Sequence, residues 1–144
     1  MTTFEEILAR DGKLIYTTRG SSMQPMLRQN RDLVVIENTK GRLKRLDVAL
    51  FKHDGKYILH RVVKVNSAGY TFRGDNNLFT ENDIGDENVL GVLTGFVHNG
   101  KQHKTSETGY RLYSALWYAI YPLRYIYRHL RRFAGRLIRR IIKR

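Results

Sequence analysis

Five short β-rich runs, separated by turn residues, crowd the stretch from Asp32 to Val97. Asp32-Leu33-Val34-Val35-Ile36-Glu37 is an apolar run consistent with a buried strand, and Lys40-Gly41-Arg42 ends it. Asp47-Val48-Ala49-Leu50-Phe51-Lys52 follows, and Asp54-Gly55 is a strong hairpin signal. Tyr57 to Val65 is the third run, Tyr70-Thr71-Phe72-Arg73 the fourth, and Val89 to Val97 the fifth. Strands this close, joined by hairpin turns, leave no room for crossover helices. They imply an antiparallel barrel or coiled sheet.

The flanks add less. Thr2 to Ala9 reads as a short helix with a threonine cap and early acids, not as a basic-then-apolar leader. Leu14-Ile15-Tyr16-Thr17-Thr18 is a further strand leading to Gly20. Between Gly74 and about Asn88 runs a polar loop, and Asn99 to Thr108 is a polar linker. With 144 residues and no cysteine, the chain is one domain by size, without disulfides or thiolate metal sites.

Charge divides the chain in two. All 13 acids lie at or before Glu107, and ten of the 26 basic residues lie from Arg111 onward. Residues 1–110 therefore carry a net +3 and the rest +10. The expected organisation is a domain over 1–108 and a basic helical tail over 109–144.

The stretch Gly20-Ser21-Ser22-Met23-Gln24-Pro25-Met26-Leu27 stands out before the first apolar run. A serine hydroxyl is a weak nucleophile unless the backbone presents it and a base takes its proton. Gly20 permits a tight turn, and Pro25 stiffens the other side, so Ser22 is expected on an exposed bend. The same residue types also make ordinary loops. Among the five histidines, His60 alone sits inside a strongly apolar strand. By period 2 it shares a face with Ile58, Val62 and Lys64. It is either a half-buried histidine satisfied by the backbone or a general base for Ser22. A histidine base wants a carboxylate behind it to fix its tautomer. Asp75 and Asp83, both in the polar loop, are the two candidates.

The order Gly-x-Ser-Met-x-Pro-x-Leu, Asp-Leu-Val, Asp-Val-Ala-Leu-Phe, His-Arg-Val-Val and Gly-Asp-Asn-Asn resembles the signal peptidase family and its clan, which includes LexA-type self-cleaving repressors. The blocks run from Gly20 to about Gly95. The resemblance implies that Ser22 is the nucleophile and that His60 stands where the histidine-base branch of the family places its base. It implies that an aspartate after Gly-Asp-Asn-Asn, best matched by Asp83, completes the site, with Asp75 also important. Many relatives place a serine where Gly20 stands, which leaves the oxyanion to backbone N–H groups, chiefly that of Ser22. The fold implied is a coiled antiparallel β-barrel. The activity implied is endopeptidase cleavage of a signal or leader peptide, without metal or organic cofactor. The substrate, a peptide or preprotein, would be held as an added strand with small side chains before the cut.

Signal peptidases usually carry an N-terminal membrane anchor. None is expected here, and the tail is expected to stand in for it. Leu112, Leu116, Trp117 and Ile120 precede Pro122. Beyond it, Leu123, Ile126, Leu130, Phe133, Leu137, Ile138 and Ile141 recur at helical spacing. Arg124, Arg128, Arg131, Arg132, Arg136, Arg139, Arg140, Lys143 and Arg144 fill much of the remainder. An apolar face against a dense arginine face suits a helix lying in a membrane interface, with an anionic surface as partner of residues 110–144. Nucleic acid is the less favoured partner, because the aromatics gather at the start of the tail and are not interleaved with the arginines. The rival to the enzyme reading is a non-catalytic β module whose basic tail binds membrane or nucleic acid.

Overall fold

The structure, a computed structural model, describes residues 1–142; Lys143 and Arg144 of the basic face lie outside the described residues. Helix α1 (Phe4–Asp11) starts at Thr3, whose hydroxyl accepts from the Glu6 N–H while the Glu6 carboxylate accepts from the Thr3 N–H. This reciprocal cap satisfies two otherwise orphaned donors. Gly12 ends the helix with a left-handed φ of 69°.

Eight strands form one antiparallel sheet: β1 (Lys13–Thr17), β2 (Leu33–Glu37), β3 (Val48–His53), β4 (Lys56–Asn66), β5 (Gly69–Arg73), β6 (Glu81–Ile84), β7 (Val89–His98) and β8 (Lys101–Lys104). Their order is β1-β2-β7-β3-β4-β5-β6, with β8 on the far end of β7. The expectation of a mainly β, antiparallel fold with a short N-terminal helix and C-terminal helices is met. The barrel is not closed: β1 and β6 are the two ends of the strand order, and no ladder joins them among the described residues. Two strands fall where the sequence reads as loop and linker. β6 pairs Ile84 with Tyr70 and Glu81 with Phe72, and β8 returns through an Asn99-Gly100 turn to pair His98 with Lys101.

The two faces of the sheet hold separate cores. Val48 and Leu50 of β3 join Leu14, Val34, Ile36, Leu93 and the side chains of Met23, Met26 and Leu27 on one side. Ala49 and Phe51 join Val62, Tyr70, Phe72 and Ile84 on the other. The unbroken apolar run of β3 follows from this, because a strand covered on both faces needs no polar alternation.

Helix α2 (Thr108–Ala119) and helix α3 (Tyr121–Ile142) follow, broken at Ile120. Pro122 sits in the first turn of α3, where its missing N–H costs nothing. Ser114 of α2 is buried against β4, whereas no residue of α3 is fully buried. Tyr121, Arg124 and Arg128 of α3 reach back to the loop after β5. Among the described residues, no helix is long and apolar enough to cross a membrane.

Candidate active site

Consecutive residues of β4 point to opposite faces, so His60 and Arg61 serve different neighbourhoods although both are buried. Each has its own carboxylate. His60 Nδ1 lies 2.8 Å from the Glu81 Oε2, and the two side chains are 6% and 11% exposed. Arg61 grips Asp75 with two parallel bonds, Nε to Oδ1 and Nη2 to Oδ2, both 2.8 Å.

The Asp75 pair is an internal clamp. Arg61 also donates to the Leu46 carbonyl (3.0 Å) and to the Ser114 hydroxyl of α2 (2.8 Å). The Tyr113 hydroxyl donates to Asp75 Oδ2 at 2.9 Å. Burial works against the Arg61 charge, but the Asp75 carboxylate more than offsets it, so the guanidinium stays charged more firmly than usual. Burial, reinforced by the nearby Asp75 charge, pushes the Tyr113 phenol well above its ordinary value, so it remains a donor. Asp75 is thus committed to Arg61 and Tyr113 and makes no hydrogen bond to His60.

Ser22 approaches His60 across Gly74. A Cβ on Gly74 would stand 2.7 Å from the Ser22 carbonyl oxygen, 2.8 Å from Asn77 Nδ2 and 2.9 Å from His60 Nε2. Real Cβ atoms do not come so close, so this position requires glycine. The Ser22 carbonyl and the free ring nitrogen of His60 therefore border the same small space beside Gly74. The loop after β5 fixes the meeting. Asn76 N–H donates to the Ser22 carbonyl (2.8 Å), and its side-chain amide donates to the Ser21 carbonyl (3.2 Å). Met23, Met26 and Leu27 anchor the other side of the turn in the core. The Ser22 hydroxyl and the Ser22 N–H hold no protein partner among the described residues, and the residue is half-buried.

The sequence reading is corrected at the acid. The carboxylate on His60 is that of Glu81, and neither Asp83 nor Asp75 holds that place. A register shift explains why. Between Tyr70 and Phe72 of β5, β6 carries one residue too many, and Asp83 adopts a left-handed φ of 58°. This is a β-bulge, and it leaves the Asp83 side chain in solvent while Glu81 lies opposite Phe72. No local signal in Leu78-Phe79-Thr80-Glu81-Asn82-Asp83 selects Glu81; the pairing with β5 does.

The tail also reaches the site. Trp117 Nε1 donates to the Asp75 carbonyl at 2.8 Å and Arg124 donates to the same oxygen at 2.6 Å. Arg128 donates to the Asn76 carbonyl (2.7 Å) and to its side-chain oxygen (2.6 Å). Tyr121 donates to the Leu78 carbonyl at 2.9 Å. The loop that holds the Ser22 carbonyl is thus itself held by α2 and α3. Sequence reading assigned these arginines to a solvent or membrane face and missed this role.

The chain matches no protein-family model and no curated protein.

Proposed function

We propose that this protein is a serine endopeptidase of the signal-peptidase kind, with Ser22 as nucleophile, His60 as general base and Glu81 as the orienting acid. The observation that carries the reading is the line from Glu81 through His60 to the Ser22 turn, closed by Gly74. A buried histidine bonded to a carboxylate through Nδ1 keeps its Nε2 lone pair facing outward. The Ser22 hydroxyl holds no hydrogen bond to that nitrogen in this structure; brought within its reach when a peptide is bound, it can lose its proton as it attacks.

In the proposed reaction Ser22 Oγ adds to a peptide carbonyl and His60 Nε2 takes its proton. The tetrahedral oxyanion is stabilised by backbone N–H groups, that of Ser22 first. Collapse breaks the C–N bond, and His60 returns the proton to the leaving amine. Water then enters by the same route and releases the acyl group. Glu81 holds the ring in the needed tautomer and steadies the imidazolium. An open sheet supports recognition of an extended peptide by main-chain pairing, and the resemblance points to small side chains before the cut.

We place the enzyme at an anionic membrane surface, held by the tail. Leu123, Ile126, Leu130, Phe133, Leu137, Ile138 and Ile141 are all exposed on α3, and arginines occupy its other face. A helix of this make-up lies in the plane of the interface, and it does not span.

The experiment is cleavage of a leader-type peptide with small residues before the scissile bond. Ser22→Ala and His60→Ala should each abolish cleavage while leaving the circular dichroism spectrum unchanged. If both variants cut like the parent, the chain is a non-catalytic module and the reading fails.

A further inference from the structure

At the corner where α2 turns into α3, a cleft of about 680 Å³ opens against β4 and β5. Three cations line it, Arg45, Lys64 and Arg73, and no acidic side chain does. None of the three forms an ion pair among the described residues. Arg73 is half-buried, and its guanidinium lies 3.3 Å from the centroid of the Tyr121 ring, while that of Arg45 lies 5.1 Å from the Tyr118 ring. Burial pulls the Arg73 pKa down against smaller upward pulls from Tyr121, Tyr118 and Asp75, which marks a cation drawn partly from water. This contrasts with the other half of the molecule, where Arg61, the most buried cation, is fully paired with Asp75.

Uncompensated positive charge in a concave, partly desolvated setting attracts an anion. The remaining walls say what the anion is attached to. Val63, Val65 and Pro122 give the cleft an apolar side. Ile120 and Leu123, both exposed, flank Tyr121 and Pro122 of the cleft, so the cleft lies beside exposed apolar residues of the tail. A free phosphate would use the cations and leave those walls wet. A phosphate carrying a glycerol and acyl chains would use both.

We propose that this cleft is a binding site for the phosphate head group of an anionic lipid, with Arg45, Lys64 and Arg73 on the phosphate and Val63, Val65 and Pro122 against the lipid's apolar part. The proposal goes beyond peptide cleavage. It rests on the membrane-facing reading of the tail and not on the chemistry of Ser22. It adds to that reading a defined pocket beside the diffuse charge of α3.

The test uses the full chain and vesicles of phosphatidylcholine with or without phosphatidylglycerol. Arg45→Ala/Lys64→Ala removes two exposed cations of the cleft, and Lys101→Ala/Lys104→Ala removes the same charge from β8. Circular dichroism checks that both variants are folded. With each basic residue contributing as expected for contact with an anionic leaflet, the cleft variant should lose about 30-fold in affinity for phosphatidylglycerol vesicles. The β8 variant should lose much less. Equal losses in the two variants overturn the proposal in favour of diffuse attraction. A second arm titrates short-chain soluble phosphatidylglycerol, glycerol phosphate and inorganic phosphate, following the backbone amide signals of Val63, Val65 and Tyr118. The lipid should bind most tightly and move all three. Inorganic phosphate binding as tightly as the lipid overturns the lipid assignment. The controls separate this proposal from the functional one. Ser22→Ala should float like the parent, and truncation after Arg132 should weaken flotation even if the cleft fails.

Discussion

Glu81→Gln keeps the size of the side chain that faces His60 and removes its charge. Two orientations of the new amide are open. With the carbonyl toward Nδ1, the ring keeps its tautomer but the imidazolium formed during attack loses its counter-charge. With the amino group toward Nδ1, the proton is driven to Nε2, and the ring can no longer accept one from Ser22. Both outcomes slow acylation. The His60 and Glu81 side chains are 6% and 11% exposed and 2.8 Å apart, so solvent screens the lost interaction little. The expected fall in kcat is on the order of 10²–10⁴-fold, or about 3–5 kcal/mol in the barrier. KM and the urea midpoint should change little, because the hydrogen bond is replaced and no cavity forms. Asp83→Asn is the matched control. Its side chain is exposed on the bulge, so activity should stay within about twofold of the parent. A quenched fluorogenic peptide gives kcat and KM for both variants. Nitrogen chemical shifts of the His60 ring report the tautomer without any substrate. A silent Glu81→Gln variant, or loss of activity in Asp83→Asn, refutes the assignment of Glu81.

Three other outcomes follow from the same geometry. Asp75→Ala should destabilise the protein by about 3–5 kcal/mol, measured by urea unfolding, because it strands the Arg61 charge in the interior. Gly74→Ala should lower kcat sharply while costing about 1–3 kcal/mol in stability, because its methyl group must part the Ser22 turn from His60. Arg128→Ala should loosen the Asn76 loop and lower kcat, read beside the solvent-exchange rate of the Asn76 amide. Arg128→Lys should restore only part of the loss, since one ammonium does not reproduce two parallel bonds to the Asn76 carbonyl and side chain.

The antiparallel sheet was legible because its signals are local. The Asp54-Gly55 turn, the unbroken apolar run of β3 and the capping threonine of α1 each act over a few residues. Ser22 and His60 could be nominated as candidates by residue type and by order along the chain. Glu81 was not, because a bulge shifts the parity of β6 and no residue inside that strand announces it. Whether the sheet closes into a barrel was left open because it depends on whether the first and last strands of the order meet. The hold of the tail on the loop after β5 was hidden for a similar reason. Arg124 and Arg128 look like any solvated arginines until the loop carbonyls of Asp75 and Asn76 are brought beneath them.

If the proposed chemistry holds, Ser22 is an activated nucleophile whose reactivity depends on the neighbouring imidazole. Treating the folded protein with a fluorophosphonate and mapping the modified peptide by mass spectrometry tests it directly. One covalent adduct is expected, on Ser22, forming quickly in the parent and lost in His60→Ala. Labelling of Ser22 at the same rate with and without the imidazole, or no labelling there at all, contradicts it.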